Sequence, residues 1–489
     1  MRILGLTSLK EKYDVIIIGA GVAGLTCGCY LAKNGLSVLI IEYHSIPGGF
    51  CTSFKRGEFV FDIGVHYFGN VSKNGVIGRI LRDLNLESEL ELVRVNPTDV
   101  IIMPECTIKF FNNLKETISS FQDSFPNEHE SISNFLNFLS TDNFLLLYKT
   151  FRRKTFREIL DIYFKDEKLK SVFSVMLGNI GLPSNKVTAL TASVMYRDYI
   201  FKGGNYPKGG MQKFPDLLAK RFVEYGGDLL LNKSVTKIQL KHDLAEGIII
   251  DDNNFVASDY IVSNGSARQT FCNLIGEDKL PIELKNKLKI MIPSPSAFIV
   301  YFSLNGSLKN GNYYSNTWYC PDYNIDKVYE DCFRGKFNPN FLFVALPSLH
   351  DESVCPPNFE VGHLITLAPC LSEEYWSKNQ DNITQLMIRN AEKIIPGFSR
   401  MLHKYYPATP TTIINYTKAD RGSIYGWASL LNQTGDAMTS TTFIPNLFLA
   451  GHWSTLETGQ GGITMVALSG RNVAKKIINN ISETAKIYD

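Results

Sequence analysis

The sequence predicts an α/β fold: a mainly parallel sheet flanked by helices and assembled from separated segments, with a second, α+β domain inserted between them. Three observations predict it. Near the N-terminus, "DVIIIGAGVAGLTCGCYLAKNGLSVLIIE" runs strand, glycine turn, helix, strand. Close to the C-terminus, "LFLAGHWSTLETGQGGITMVALSGRNVAKKI" runs strand, loop, helix. Between them, helical and strand-like stretches fill a chain of 489 residues, too long for one simple core.

The first unit must be told from a membrane span, because Val15 to Ala32 is 18 residues without a charge. Gly19, Gly21, Gly24 and Gly28 interrupt that run, and glycine weakens a helix interior. Val15 to Ile18 are β-branched and suit a strand buried on both faces. Gly19-Ala20-Gly21-Val22-Ala23-Gly24 follows, then helical spacing in Leu25, Tyr30 and Leu31, then an apolar strand, Val38 to Ile41, ending at Glu42. This is the pattern of a dinucleotide-binding βαβ unit. Gly19 and Gly21 let the backbone turn and approach a pyrophosphate, and Gly24 lets helix and strand pack closely. The N–H groups of the first helical turn, Ala23 included, then face the phosphate charge. Glu42 stands 18 residues after Gly24, where its carboxylate can accept hydrogen bonds from a ribose. Cys27 and Cys29 read as small core residues on the helix.

Lys and Arg number 50 against 48 Asp and Glu, a net charge of +2 that gives no reason to expect nucleic acid. The nine cysteines form no CxxC pair, and the eight histidines show no HxH or HExxH spacing, so no metal site is expected. The N-terminal apolar stretch is too short for a signal peptide. Free thiols in a reducing, cytoplasmic setting are the expectation.

After Glu42, "PGGFCTSFKRGEFVFDIGVHYFG" supplies Gly48 and Gly49, a short strand pair, and then Gly64-Val65-His66-Tyr67. A second glycine turn close behind the first suits a long cofactor with more than one backbone contact. At the C-terminal end, Leu447 to Ala450 read as a strand, Gly451 to Gly462 as a loop and Ile463 to Ile477 as a helix. The N–H groups of Gly461, Gly462 and Ile463 at the helix start are placed to stabilise negative charge on a flavin ring. No second GxGxxG follows a strand, so no separate NAD(P) domain is expected and the electron donor or acceptor is left open.

These segments, with "YPKGGMQKFPDLLAKRFVEYGGDLLLNKSVTKI" from Tyr206 and "ASDYIVSNGSA" from Ala257, resemble the carotenoid isomerase, phytoene desaturase and retinol saturase group of FAD-dependent oxidoreductases. The wording of the "GGFCTSFKRGEFVFDIGVHYFG" stretch is closest to the retinol saturase branch. The C-terminal loop departs from the group's Pro-Gly-rich form by reading Thr455-Leu456-Glu457-Thr458. The resemblance implies FAD, a Rossmann-like FAD-binding domain of amine-oxidase-like architecture, and an inserted α+β substrate domain. It implies that the FAD domain is built from residues 1–80, 206–275 and 435–489, and the substrate domain from 81–205, mainly helical, and 276–434, which adds a sheet. It also makes Val235 a backbone contact for the adenosine half.

The substrate expected from the resemblance is a lipophilic small molecule, a polyene or isoprenoid. The chemistry is desaturation, saturation or cis/trans isomerisation of C=C or CH–CH bonds. A flavin amine oxidase, and a non-catalytic isoprenoid-binding escort protein, are the alternatives. For catalysis the candidates are His66 and Tyr67 after the Gly64 turn, Glu457 in the C-terminal loop, and Tyr425 in "DRGSIYGWAS" beside Trp427. His66 is a proton carrier near neutral pH or a packing histidine, Glu457 an acid/base group or a solvated loop charge. Tyr425 and Trp427 wall the pocket or fill core, and His452 and Trp453 pack against the cofactor. The Phe- and Leu-rich insert reads as a hydrocarbon tunnel or as ordinary helix core. Phe156, Ile159, Leu160, Tyr163 and Phe164, beside Arg152, Arg153, Lys154 and Arg157, form a basic amphipathic helix. That helix lies on an anionic membrane surface or serves as a lid.

Overall fold

A computed structural model describes residues 9–434, 438–454 and 462–488. The uncharged N-terminal run is split between a strand, β1 (Lys12–Ile18), and a helix, α1 (Val22–Lys33), with β2 (Val38–Ile41) returning parallel to β1 in the register Val15↔Val38 to Ile18↔Ile41. Both faces of this layer are covered, which is why the strands carry apolar residues without alternation. The sheet is completed by segments far away in the chain. Asp228–Leu230 lies parallel to β2, Asn254–Ser263 parallel to β1, and Leu447–Leu449 parallel to the end of Asn254–Ser263. Val235–Lys241 and Leu244–Ile250 extend it as an antiparallel meander. Among the described residues, no helix is long and apolar enough to cross a membrane.

A second seven-stranded sheet runs in the order Leu402–Ala408, Ser296–Asn305, Phe359–Ala368, Leu342–Ala345, Asn316–Tyr319, Asp99–Ile102, Thr107–Phe110. Its last two strands come from the segment that the composition marks as mainly helical. Asp99–Ile102 adds in parallel beside Asn316–Tyr319. The remaining helices of residues 114–201 bury Phe121, Phe135, Leu136, Phe156 and Phe173 in one aromatic core. A hairpin, β3 (Ser53–Arg56) and β4 (Phe59–Asp62), packs on the second sheet, with Phe54 edge-on to Tyr301 and Phe61 edge-on to Tyr406. Its Asp62 is buried and accepts hydrogen bonds from Ser53 Oγ (2.5 Å), Tyr206 OH (2.7 Å) and Met211 N (2.8 Å).

The helix Phe156–Tyr163 corrects one expectation. Thr155 and Glu158 form a capping box at its start, as the sequence Thr-x-x-Glu favours. Its apolar stripe faces inward: Phe156, Ile159, Leu160 and Phe164 are all buried. Arg157 pairs with Asp161 and Glu167 (both 2.8 Å). The stripe is therefore occupied by the protein's own core and is not a membrane-docking face.

Candidate functional site

At the end of β1 the two glycine turns meet. Gly19 is left-handed (φ +99°), and Gly21 is extended as the N-cap of α1, whose first turn has no side-chain cap. A Cβ on Gly24 would lie 2.2 Å from the Gly19 carbonyl oxygen, so only glycine lets the helix approach the turn. The second turn sits directly against the first. Gly48 N donates to the Ala20 carbonyl (2.8 Å), and a Cβ on Gly49 would lie 3.3 Å from Gly21 Cα. Glu42 closes this end. Its carboxylate accepts from Ala20 N (2.8 Å) and His44 N (2.9 Å), and burial raises its pKa against the pull of those two donors.

Three more segments converge here. Asn264, following the strand Asn254–Ser263, accepts from Gly21 N (3.1 Å) and donates to the Ala450 carbonyl (3.2 Å) when its amide is oriented to satisfy both. Gly451 is left-handed and donates to Ser469 Oγ (3.0 Å). Ala23 lies beneath it, with a Cβ–Cβ approach of 3.6 Å were Gly451 substituted. Val235 opens its strand next to Lys233, whose N–H bonds the Glu42 carbonyl (3.1 Å).

From Glu42, just past the end of β2, a cavity of about 690 Å³ extends over one face of the second sheet. Gly64, Val65, His66 and Tyr67 form part of its wall, with Gly462 and Ile463 at the start of the C-terminal helix, Ile463–Tyr488. No atom lies within 4 Å of a Cβ built on Gly64, so that position borders open space. The far wall is apolar: Ile180, Val194, Trp318, Phe341, Phe343 and Ile365. Ala297, Ile299 and Tyr301 line it from one strand, at the spacing of two that puts them on one face.

His66 packs edge-on against Tyr67 (4.5 Å between rings) and beside Phe343 (4.6 Å), with Nδ1 3.4 Å from the Gly64 carbonyl. Burial lowers its pKa to about 4, so at neutral pH it is an uncharged imidazole. His363, on the neighbouring strand, is lowered further, to about 3, by burial and by His66. The Tyr67 hydroxyl donates to Asp99 (2.8 Å), which also accepts from Trp318 Nε1 (2.9 Å). Burial pushes the Asp99 carboxyl up to about 6 despite both donors. Tyr425 lines the cavity, its hydroxyl committed to the Gly178 carbonyl (2.9 Å). Trp427 does not line it. It is fully buried, donates Nε1 to the Trp453 carbonyl (3.1 Å) and lies under the Arg268 guanidinium. His452 packs on Phe50 (5.6 Å), itself a cavity residue. Glu457 and Gly461 lie outside the described residues.

Sequence reasoning missed Asp99, Trp318, Tyr301, Asn264 and Tyr199. Tyr199 belongs to a π-helix, Tyr196–Phe201, and its hydroxyl accepts from Thr464 N (3.2 Å) beside Gly462. Such wide turns often occur at functional sites. Asn264 falls inside the quoted "SNGSA" stretch and was within reach; the others are ordinary strand and helix residues until the sheets are paired. Among the described residues, no three His, Cys, Asp or Glu gather as a metal site.

Residues 17–84 match the family model described as an NAD(P)-binding Rossmann-like domain. Over its whole length the chain is similar to the prolycopene isomerase of Arabidopsis thaliana, at 25% identity covering 96% of this chain and 84% of the relative. It is equally similar to the all-trans-retinol 13,14-reductase of Danio rerio, at 25% identity covering 93% and 85%. Among solved structures, an oxidoreductase from Methanosarcina mazei superposes with a TM-score of 0.68 at 19% identity, covering 95% of this chain and 100% of that one. The cyclohexylamine oxidase of Brevibacterium oxydans superposes with a TM-score of 0.63 at 15% identity, covering 96% and 99%. These likenesses establish the fold: a Rossmann-like domain with an inserted second domain.

Proposed function

Because the chain is a full-length relative of the carotenoid isomerase and retinol saturase group of oxidoreductases, we propose that it is an FAD-dependent enzyme acting on C=C or CH–CH bonds of a lipophilic polyene or isoprenoid. The observation that carries this reading is the cavity. It begins at Glu42, at the strand end of a dinucleotide fold, and continues into an apolar chamber walled by the second sheet. The cofactor unit comprises residues 1–80, 206–275 and 435–489, and the substrate unit comprises 81–205 and 276–434.

The residues present fit FAD. The uncapped first turn of α1, at Val22, Ala23 and Gly24, offers N–H groups and the positive end of a helix to a diphosphate. Glu42 and the Val235 backbone would hold the adenosine half. Gly64, Val65, Gly462 and Ile463 would border the ring, where the absence of a Cβ at Gly64 leaves room. Bound there, FAD supplies a two-electron acceptor or donor for a carbon–carbon bond. The protein's own part is to position the chain and exclude water. Phe343, Trp318 and Tyr301 make the dry wall. With Nδ1–H turned to the Gly64 carbonyl, His66 Nε2 is left as an acceptor for a proton beside the reacting carbon. Asp99 fixes the Tyr67 ring against His66. Tyr425, with its proton committed to Gly178, acts as wall rather than as an acid.

The amine oxidase alternative lacks a counter-charge. Glu42 is the single carboxylate lining the cavity among the described residues, and two backbone N–H groups already occupy it. The escort alternative is disfavoured by the intact cofactor cradle and by relatives named for the reactions they catalyse.

Purified protein should be yellow and release FAD on denaturation, and anaerobic incubation with polyenes should change the flavin spectrum. Release of NAD, or of no nucleotide from reconstituted protein, overturns the reading. Gly21→Val should abolish FAD binding, since a Cβ there would lie 2.5 Å from the end of the Asn264 side-chain amide and the turn would have to shift.

A further inference from the structure

The charged lining of the cavity is uneven. Among the described residues, its side chains carry one carboxylate, Glu42, and two cations, Lys55 and Arg56. Both belong to the exposed end of β3, where Arg56 lies against Tyr406 and Lys55, one residue earlier, leaves the adjoining face of the strand. Arg56 is held in place by aromatic rings, its guanidinium 5.1 Å from the Phe54 centroid and 5.8 Å from that of Tyr406. One of its N–H groups bonds the Lys55 carbonyl (3.1 Å). Phe54 in turn packs edge-on against Tyr301 (4.8 Å), so a continuous ring path leads from Arg56 to the chamber that holds His66. Twenty ion pairs are formed elsewhere among the described residues, and neither Lys55 nor Arg56 takes part in one.

We propose that Lys55 and Arg56 bind the anionic end of the substrate, and that the substrate is an apolar polyene or isoprenoid chain terminating in a carboxylate or a phosphate. This rests on the oxidoreductase reading above and adds the head group to it. An apolar chamber places the chain by burial alone, which is non-directional. The Arg56 guanidinium at its mouth, with Lys55 adding positive charge from the adjoining face, fixes which end stays outside, and therefore which bond lies against His66. Arginine supplies the planar, bidentate geometry that carboxylate and phosphate share, and lysine adds a point charge.

The test uses FAD-loaded protein and three probes that share one chain: all-trans-retinol, all-trans-retinoic acid and retinyl phosphate. Binding is read as quenching of tryptophan fluorescence, for which Trp318 lies in the cavity wall. At least one anionic probe should bind about tenfold more tightly than the alcohol, and added salt should shrink that preference. Which of the two leads tells carboxylate from phosphate. In the Lys55→Gln/Arg56→Gln double variant the preference should fall to about twofold or less, with alcohol affinity and FAD content unchanged. Both side chains are exposed, so the fold should tolerate the change. Equal binding of all three probes, a preference that survives in the variant, or failure of all three to bind overturns the proposal. Loss of FAD from the variant also overturns it, because the pair would then serve the cofactor. None of these outcomes bears on the FAD-release test of the enzyme reading.

Discussion

Glu42, which the proposed function places at the ribose, has a second task in the fold. From the sequence it is a ribose acceptor at a strand end. In the structure it also ties the Ala20 turn to the His44 segment through two backbone N–H groups while remaining buried. Glu42→Ala should therefore do two things. FAD affinity should fall by about 1.5–3 kcal/mol, the worth of a hydrogen bond to a charged group, and the thermal midpoint should fall with it because two buried donors lose their acceptor. Glu42→Gln keeps one acceptor oxygen and should recover part of both losses. An unchanged affinity in FAD titration of the alanine variant would remove Glu42 from the cofactor site. The neighbouring glycines are legible for the same reason that Glu42 is: their roles are set by backbone geometry over a few residues.

At the scale of the element, the helix Phe156–Tyr163 separates what a periodicity says from what it leaves open. Spacing of Phe156, Ile159, Leu160 and Tyr163 identifies an amphipathic helix but not what its apolar face meets. Here it meets Phe135, Phe173 and Tyr196. Ile159 is 1% exposed and Ile162, three residues on, is 63% exposed. Ile159→Ala should cost about 2–5 kcal/mol in denaturant unfolding through lost burial and a residual cavity, and Ile162→Ala less than about 0.5 kcal/mol. Equal effects at the two positions would show that the helix is rotated from the arrangement described. The strands Asp99–Ile102 and Thr107–Phe110 teach a related point. Both are short and irregular in polarity, and a parallel partner more than 200 residues away, Asn316–Tyr319, is what makes the first of them a strand.

Across the whole molecule, Asp99 joins distant segments: it stands on the second sheet and binds Tyr67, which follows β4, and Trp318 from a neighbouring strand. Its carboxyl sits at about 6 in the folded protein, against an ordinary value of about 3.9 when unfolded. The folded state thus holds this proton more tightly. Asp99 costs the fold nothing below about pH 4, the cost grows as pH rises toward 6, and it is fully present above that, on the order of 3 kcal/mol. Glu42 and Asp62 are also raised by burial, but they act alike in wild type and in Asp99→Asn. Unfolding measured between pH 4 and 7 should show wild type losing stability relative to Asp99→Asn as pH rises. Parallel curves would mean that Asp99 titrates normally.

The sequence by itself determined the glycine turn after β1, the strand that ends at Glu42, the second glycine turn and the Rossmann-like fold class, because each depends on local backbone constraint or on strand and helix periodicity. Even the apparent membrane span resolved at that level, through its glycines. Tertiary structure alone decided that one cavity runs from Glu42 and Gly49 into an apolar chamber and that His66 is uncharged. It also decided that Trp427 is core, that the helix Phe156–Tyr163 turns its stripe inward, and that Lys55 and Arg56 stand without a carboxylate partner at the cavity mouth. Each of these depends on which surfaces residues distant in the chain bury against one another. Burial, charge pairing and pKa are properties of that three-dimensional neighbourhood, and nothing in the local order of residues specifies it.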